Sequence, residues 1–466
     1  MTHRLNDLLK NLKSHKLFQA QNYFSILTPL TIILFSIFSF DFETIISDAD
    51  NNIPEADDQY IGISLKWWTS NSIGNRPLGY PFIIYILRLF IGSSWSYYLV
   101  GLQIILYSIS GLIFYSILTG TKVYKKNVNA FIVTLLCFLN PQSLSYCMAI
   151  SPEIMPNTFL LIAFWSSNYF FKNRESRYNY LILAIVSSFL CYLMKPIWVL
   201  APFIIIFNQI LMKKNLIVDF LKFISAYLFV FLAYSQTINF LSGNSNFVSN
   251  ILDLNINLMV IRMGAIENTE QTELYKYLDS TGKLEAISAR KWTDSTTEFN
   301  NFTDLKNTIN RSLLYDSSFW KSALADPSNL ITFTKRAFYR IPSYFSTSAE
   351  SGRVSIKFSK FLNYLYQGFY SWIHDTLWFI PIIVILFLMY EQFAFKIYGN
   401  LNYYYLNTTI ISVAMAIIIL TYQDSLFYRM RASTEPFILF LYVHSISIAR
   451  DYIIPIFFKK NKIFSI

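Results

Sequence analysis

Charge is scarce in this chain. Only 14% of its 466 residues are Asp, Glu, Lys or Arg, against 54% hydrophobic, a balance that would make a water-soluble protein of this length hard to keep in solution. Cysteine is scarcer still. Cys137, Cys147 and Cys191 lie in apolar surroundings without CxxC spacing, which argues against a disulfide framework or a cysteine metal site and for packing roles. His3, His15, His374 and His444 show no HExxH or paired spacing, so zinc is not indicated. The 13 glycines form no phosphate-cradling loop, and the chain shows no internal repeat, low-complexity linker or separate soluble domain.

Long apolar runs fill the sequence instead. Taking ~20 apolar residues as the length of a crossing, helices are expected near 23–40, 95–119, 129–148, 153–171, 178–194, 196–212, 216–240, 373–394, 403–421 and 435–450. The fold class is an all-α polytopic membrane protein of about ten transmembrane helices with an outer cap of short helices. Basic loops recur at alternate ends: TKVYKK (121–126), KNRES (172–176), MKKN (212–215), FKIYGN (395–400) and the tail FFKKNK (457–462). With the basic, amphipathic N-terminus they form one positive side, so both termini are expected in the cytoplasm, and the first helix is expected to stay uncleaved. Abundant Asn, Ile, Lys, Phe and Tyr hint at an AT-rich bacterial genome and hence a plasma membrane. Three regions follow: a transmembrane module over 1–240, an extracytoplasmic cap over 241–372, and C-terminal transmembrane helices over 373–466. His374 and Asp375 beside Trp372 and Trp378 read most simply as an aromatic belt.

One outer loop breaks the pattern. Between 41 and 94 the chain gathers Asp41, Glu43, Asp48, Asp50, Glu55, Asp57 and Asp58 in a protein of net charge +10. Trp67, Trp68 and an Arg76-Pro-x-Gly-Tyr80-Pro turn follow, then PFIIYILRLFIG (81–92), which carries Arg88 and is too short to span comfortably, so it is expected to be half-inserted or interfacial. An oriented carboxylate at a membrane surface can take the proton from an attacking hydroxyl, and two together can tune each other or share a cation. Asp41, Glu43 and Asp48 keep the plainer reading of a solvated charge run.

The order of acidic pair, Tyr60, Lys66-Trp67-Trp68 and the Arg76–Pro81 turn resembles the first outer loop of the GT-C superfamily. These multi-spanning glycosyltransferases take sugars from polyprenyl-phosphate carriers and include protein mannosyltransferases and lipid A aminoarabinose transferases. Their modified DxD element takes the forms DxD, ExD, DDx or DEx. Asp57 satisfies both Glu55-Ala-Asp57 and Asp57-Asp58-Gln59, so the resemblance implies that Asp57 is the catalytic carboxylate with Asp58 beside it. Many relatives place the aspartate four residues before the tyrosine, where this chain has Ala56. Asp50 and Asp58 therefore stay open as the base. Ser151-Pro152-Glu153 and Lys195-Pro196 resemble outer-end motifs of relatives, and Tyr428-Arg429-Met430-Arg431 before Glu435-Pro436 resembles the final Arg-x-Arg motif.

The resemblance implies a sugar transfer at the outer face with inversion at the anomeric carbon. Lys195, Arg429 and Arg431 would meet the donor phosphate as charge develops on it, and Tyr60, Arg76, Tyr80 and Glu153 would contact substrate. No cofactor is required; magnesium or manganese bridging carboxylates and phosphate is compatible with the chemistry. The expected partners are a polyprenyl-phosphate-linked sugar, an outward-facing glycan, lipid or protein acceptor, and membrane lipid, with no nucleic acid. An envelope polysaccharide polymerase would rely more on arginines of the large outer loop. A lipid-linked sugar flippase or transporter predicts mid-helix ionisable residues and two-halved symmetry, and the sequence shows little of either.

Overall fold

A computed structural model describes residues 23–40, 77–119, 126–172, 177–195, 198–199, 201–211, 217–242, 251–263, 266–284, 309, 311–314, 316–331, 334–335, 357–380 and 432–450. All of its extended elements are helices. The N-terminal series is α1 (Tyr23–Ser39), α2 (Gly79–Ile91), α3 (Trp95–Thr119), α4 (Asn127–Phe138), α5 (Pro141–Cys147), α6 (Met155–Lys172), α7 (Arg177–Met194), α8 (Ala201–Leu211) and α9 (Ile217–Ser242). Then come α10 (Ile251–Met263), α11 (Glu273–Ser280), α12 (Arg311–Leu314), α13 (Ser317–Ala325), α14 (Lys360–Leu377) and α15 (Glu435–Ile448).

Two apolar helical runs among the described residues, Gly79–Thr119 and Val218–Ile238, are long enough to cross a membrane, and the bent pair α4 and α5 makes a third if taken as one span. The ten crossings expected from the sequence are therefore not all visible; the stretches near 373–394 and 403–421 fall largely or wholly outside the described residues. Gly79–Thr119 is not one straight rod. Tyr80 and Gln103, 23 positions apart, share a hydrogen bond of 3.0 Å, whereas 23 residues of straight helix would separate them by about 35 Å. The chain reverses at Gly92, whose φ of +72° lies in the left-handed region open to glycine. α2, at 13 residues, thus folds back along α3, with Arg88 over the Trp95 ring at 5.5 Å.

Apolar helices can carry hydroxyls because Ser and Thr bond to the carbonyl one turn back. Thr28 donates to Phe24 O, Ser36 to Ile32 O, Ser108 to Ile104 O and Thr134 to Ala130 O, each at 2.7–2.8 Å. These helices meet in one large core that includes Ile32 of α1, Phe114 of α3, Phe138 of α4, Phe164 of α6, Tyr370 of α14 and Phe440 of α15. α6 and α7 form its most extensive helix pair, crossed by the rings of Trp165, Tyr169 and Tyr180 at 5.0–5.7 Å. α15 is buried almost all round over Phe437–Tyr442, the mark of a central helix. α14, which the sequence places mostly in the outer loop, packs Tyr370 and Ile373 into this same core.

A separate small core lies among the described helices between 251 and 325. Leu258, Val260 and Ile261 of α10 meet Leu274 and Leu278 of α11 and Phe319 and Ala323 of α13. Asn257 Nδ2 ties this unit together by donating to Leu314 O and Asp316 O. In the turn after α13, the hydroxyl and amide of Ser328 hold the exposed Asp326 carboxyl below the usual carboxylate range.

Close helix approach depends on Gly79. A methyl group there would sit 2.8–2.9 Å from Leu193 Cβ and the Leu193 carbonyl, and backbone cannot yield as a side chain can. Gly79→Ala is expected to cost about 1–3 kcal/mol through forced separation of α2 and α7. Gly111→Ala meets the flexible end of Ile32 and should cost less. Thermal stability of the two variants in detergent checks the order.

Candidate functional site

The polar groups of the membrane body collect around a broken helix. α4 and α5 are bent by 65°, and the break falls at Asn140-Pro141, where proline cannot continue the α4 hydrogen-bond ladder but suits the first turn of a new helix. Asn140 serves both sides: its Oδ1 accepts from Ser143 N at 2.7 Å, and its Nδ2 donates to Cys137 O at 2.7 Å. Two further carbonyls at the break are met from α14. Tyr370 OH donates to Leu136 O at 2.9 Å, and Tyr366 OH donates to Leu139 O. Irregular backbone at membrane depth is tolerated only when protein satisfies it in this way.

At the far end of α5 a single side chain from α3 does the same work. Gln103 Nε2 donates to Cys147 O at 2.8 Å and to Ala149 O at 2.7 Å, while its Oε1 accepts from Tyr80 OH. Gln103 and Tyr80 are fully buried. The chain then runs through 148–154, a non-helical stretch with no residue exposed, before α6 begins. Inside this stretch Ser151 Oγ donates to Glu153 Oε2, and Glu153 Oε1 lies 3.4 Å from Lys195 Nζ. Both charged side chains are at most 5% exposed. Glu153 stands just before the N-terminus of α6 and Lys195 just after the C-terminus of α7, so each charge has the sign that its helix dipole favours.

A second buried pair lies on the other side of the break. His374, in the last turn of α14, places Nε2 at 2.5 Å from Glu435 Oε1, and both side chains are 0% exposed. Tyr442 OH is 3.4 Å from His374 Nδ1, with the two rings edge to face. Ser143 Oγ of α5 donates to Ala432 O at 2.8 Å, just ahead of Glu435. This corrects the aromatic-belt reading of His374: two positions on a helix turn the side chain by about 200°, so Trp372 is 56% exposed while His374 faces inward.

Of the residues picked from the sequence, Glu153 and Lys195 are in contact, and Tyr80 joins the same polar seam through Gln103 and the 148–154 stretch. Asp57, Asp58, Asp50, Tyr60, Arg76, Arg429 and Arg431 lie outside the described residues. Sequence reasoning passed over Gln103, Asn140, His374 and Glu435 as site residues. Their signals were present: a lone glutamine in an apolar helix, an Asn-Pro step in an apolar run, and an acid directly before Pro436. Beside the break, an apolar groove of about 460 Å³ is lined by Phe35, Leu139, Phe358, Leu362, Tyr366 and Phe369, among others. Among the described residues no three His, Cys, Asp or Glu side chains stand together as a metal site.

Fold and site together define an all-helical protein with apolar, membrane-type helices and a buried polar seam at their ends. No known protein family matches the chain, and no curated protein does. Among solved structures it is similar to the archaeal oligosaccharyltransferase AglB from Archaeoglobus fulgidus, in complex with an inhibitory peptide and a dolichol-phosphate. The likeness covers 94% of this chain and 52% of AglB, at a TM-score of 0.38 and 13% identity. The chain thus spans about half the length of that protein. The functional reading rests on the site.

Proposed function

We propose that this chain is a membrane glycosyltransferase of GT-C type, moving a sugar from a polyprenyl-phosphate donor to a hydroxyl of an extracytoplasmic glycan, lipid or protein. The observation that supports it is the meeting of Glu153 and Lys195, 42 positions apart in sequence, as a buried ion pair inside an apolar body. A charged pair kept out of water in this way is costly to bury, and in a membrane protein it is a reason to look for function at that place. In this reading Asp57 takes the proton from the acceptor hydroxyl, with Asp58 orienting it or Asp50 or Asp58 substituting. The acceptor oxygen attacks the anomeric carbon with inversion, the bond from that carbon to the phosphate oxygen breaks, and polyprenyl phosphate leaves with the electron pair.

Lys195, Arg429 and Arg431 would stabilise the charge that develops on the phosphate. Tyr60, Arg76, Tyr80 and Glu153 would shape the substrate site, and the apolar groove beside the helix break would suit part of the prenyl chain. A divalent ion on the acidic loop would add Lewis-acid stabilisation of the phosphate, and the reading does not require one. A lipid-linked sugar flippase is the second reading, favoured by two buried ionisable pairs; both pairs sit at helix ends rather than in mid-span, which favours the enzyme.

Asp57→Asn tests the proposal. In membranes supplied with a defined polyprenyl-phosphate sugar, transfer should fall about 100-fold at normal expression, the lower range for loss of a general base. Unchanged transfer removes Asp57 from its role. Movement of the lipid-linked sugar across the bilayer without any transfer favours the flippase.

A further inference from the structure

The buried pair His374–Glu435 has no part in the transfer chemistry described above. Packing alone does not explain it, because apolar residues of similar volume in place of a buried ion pair are often neutral or stabilising. A short hydrogen bond supplies what apolar contact does not: a fixed distance and direction between two helices. The bond joins the last turn of α14 to the first residue of α15. It is held from both sides, since Tyr442 OH addresses the other ring nitrogen, and the carboxylate stands at a helix N-terminus that favours negative charge.

The stretch it secures is short and has a second anchor. Ala432, Ser433, Thr434 and Glu435 are all fully buried. Ser143 of α5 bonds to Ala432 O at one end, and His374 of α14 bonds to Glu435 at the other. These four residues follow Arg431 directly in the sequence. We propose that His374 and Glu435 are a positioning couple: their hydrogen bond holds the start of α15, the helix that the sequence enters directly after Arg431, against α14 and α5. The couple stands on the contacts above; only its consequence for transfer rests on the glycosyltransferase reading.

The experiment uses the full chain in its membrane and the variants His374→Leu, Glu435→Leu, the double Leu variant and Glu435→Gln. The first readout is the rate at which native Cys137 reacts with a maleimide, followed by peptide mass spectrometry. Cys137 is buried in α4, which packs against α15, so loosening of α15 should expose it. Each Leu variant is expected to react about fivefold faster than wild type, as a locally opened segment does. The double variant should be no faster than either single, because one bond is lost in all three. Glu435→Gln keeps an acceptor for the ring N–H and should stay within about twofold of wild type. The second readout is transfer, whose kcat should fall about tenfold in the Leu variants with the acceptor KM unchanged, the signature of a misplaced stabilising group.

Unchanged Cys137 reactivity in both single variants overturns the couple, and so does a double variant whose acceleration is the product of the two singles. If the Leu variants fail to reach the membrane, Glu435→Gln decides: wild-type reactivity supports the hydrogen bond as the holding element, and fast reactivity overturns it. If Cys137 responds as expected but wild type transfers no sugar, the couple stands and the glycosyltransferase reading falls.

Discussion

Lys195→Met is expected to destabilise the protein by about 3–5 kcal/mol, because it leaves the Glu153 carboxylate buried without its cation. The pair is 3.4 Å apart with both side chains at most 5% exposed, so water cannot take over the lost partner. Adding Glu153→Leu should return most of that stability, since an apolar pair carries no desolvation cost. The double variant then separates structure from function. If Lys195 meets the donor phosphate, the double variant will be stable and folded yet slowed by about 10²–10³, the range for losing one preorganised group that stabilises developing charge. If Lys195 serves only to neutralise Glu153 and Glu153 touches no substrate, the double variant will transfer sugar at the wild-type rate, whereas a loss confined to KM would report a substrate contact of Glu153. Thermal unfolding in detergent measures the first effect and single-turnover transfer the second.

Gln103→Leu is the second large effect. This one side chain supplies both donors to Cys147 O and Ala149 O and the acceptor for Tyr80 OH. Its loss strands three buried polar groups at about 1–3 kcal/mol each, a total of about 3–6 kcal/mol after partial relaxation. Gln103→Glu, nearly the same shape, should be no better: it keeps the acceptor for Tyr80 but turns an oxygen toward two carbonyl oxygens. Adding Tyr80→Phe to Gln103→Leu removes one of the stranded groups and should recover about 1 kcal/mol. Yield in the membrane and thermal stability in detergent would register all three. A Gln103→Leu protein as stable as wild type would show that the 148–154 stretch is held by something other than this side chain.

Much of the helix layout was legible because a crossing of hydrocarbon demands an uninterrupted apolar run. The expected 95–119 coincides with Trp95–Thr119, and 178–194 and 216–240 differ from Arg177–Met194 and Ile217–Ser242 by no more than two residues at either end. Where hydropathy and geometry part, the reading failed. Hydropathy predicts one continuous helix over 129–148, yet the chain breaks at Asn140-Pro141, since mean hydropathy is blind to one proline and to carbonyls capped from α14. α14 itself was placed mostly in the outer loop because its Tyr, Asn and Gln lower its hydropathy, although Tyr370 and Ile373 enter the main core.

The candidate site divides in the same way. Glu153 and Lys195 could be picked out singly, as charges at the ends of apolar helices. Their pairing could not, since nothing in the sequence between two residues 42 positions apart encodes it; it follows from the antiparallel packing of α6 on α7. His374 and Glu435 were read as a belt residue and a motif neighbour, and became a bonded couple only when α14 met α15.

Composition and apolar run length by themselves determined that this is a helical protein built for a membrane, because a peptide bond in hydrocarbon must find its hydrogen bond within its own helix. They also placed the ends of several long helices, among them Trp95–Thr119 and Arg177–Met194, to within two residues. Only the tertiary structure decided which charges share a site and where a helix is allowed to break. Those outcomes depend on groups far apart in the chain supplying, at hydrogen-bond distance, the partners that neither water nor lipid provides.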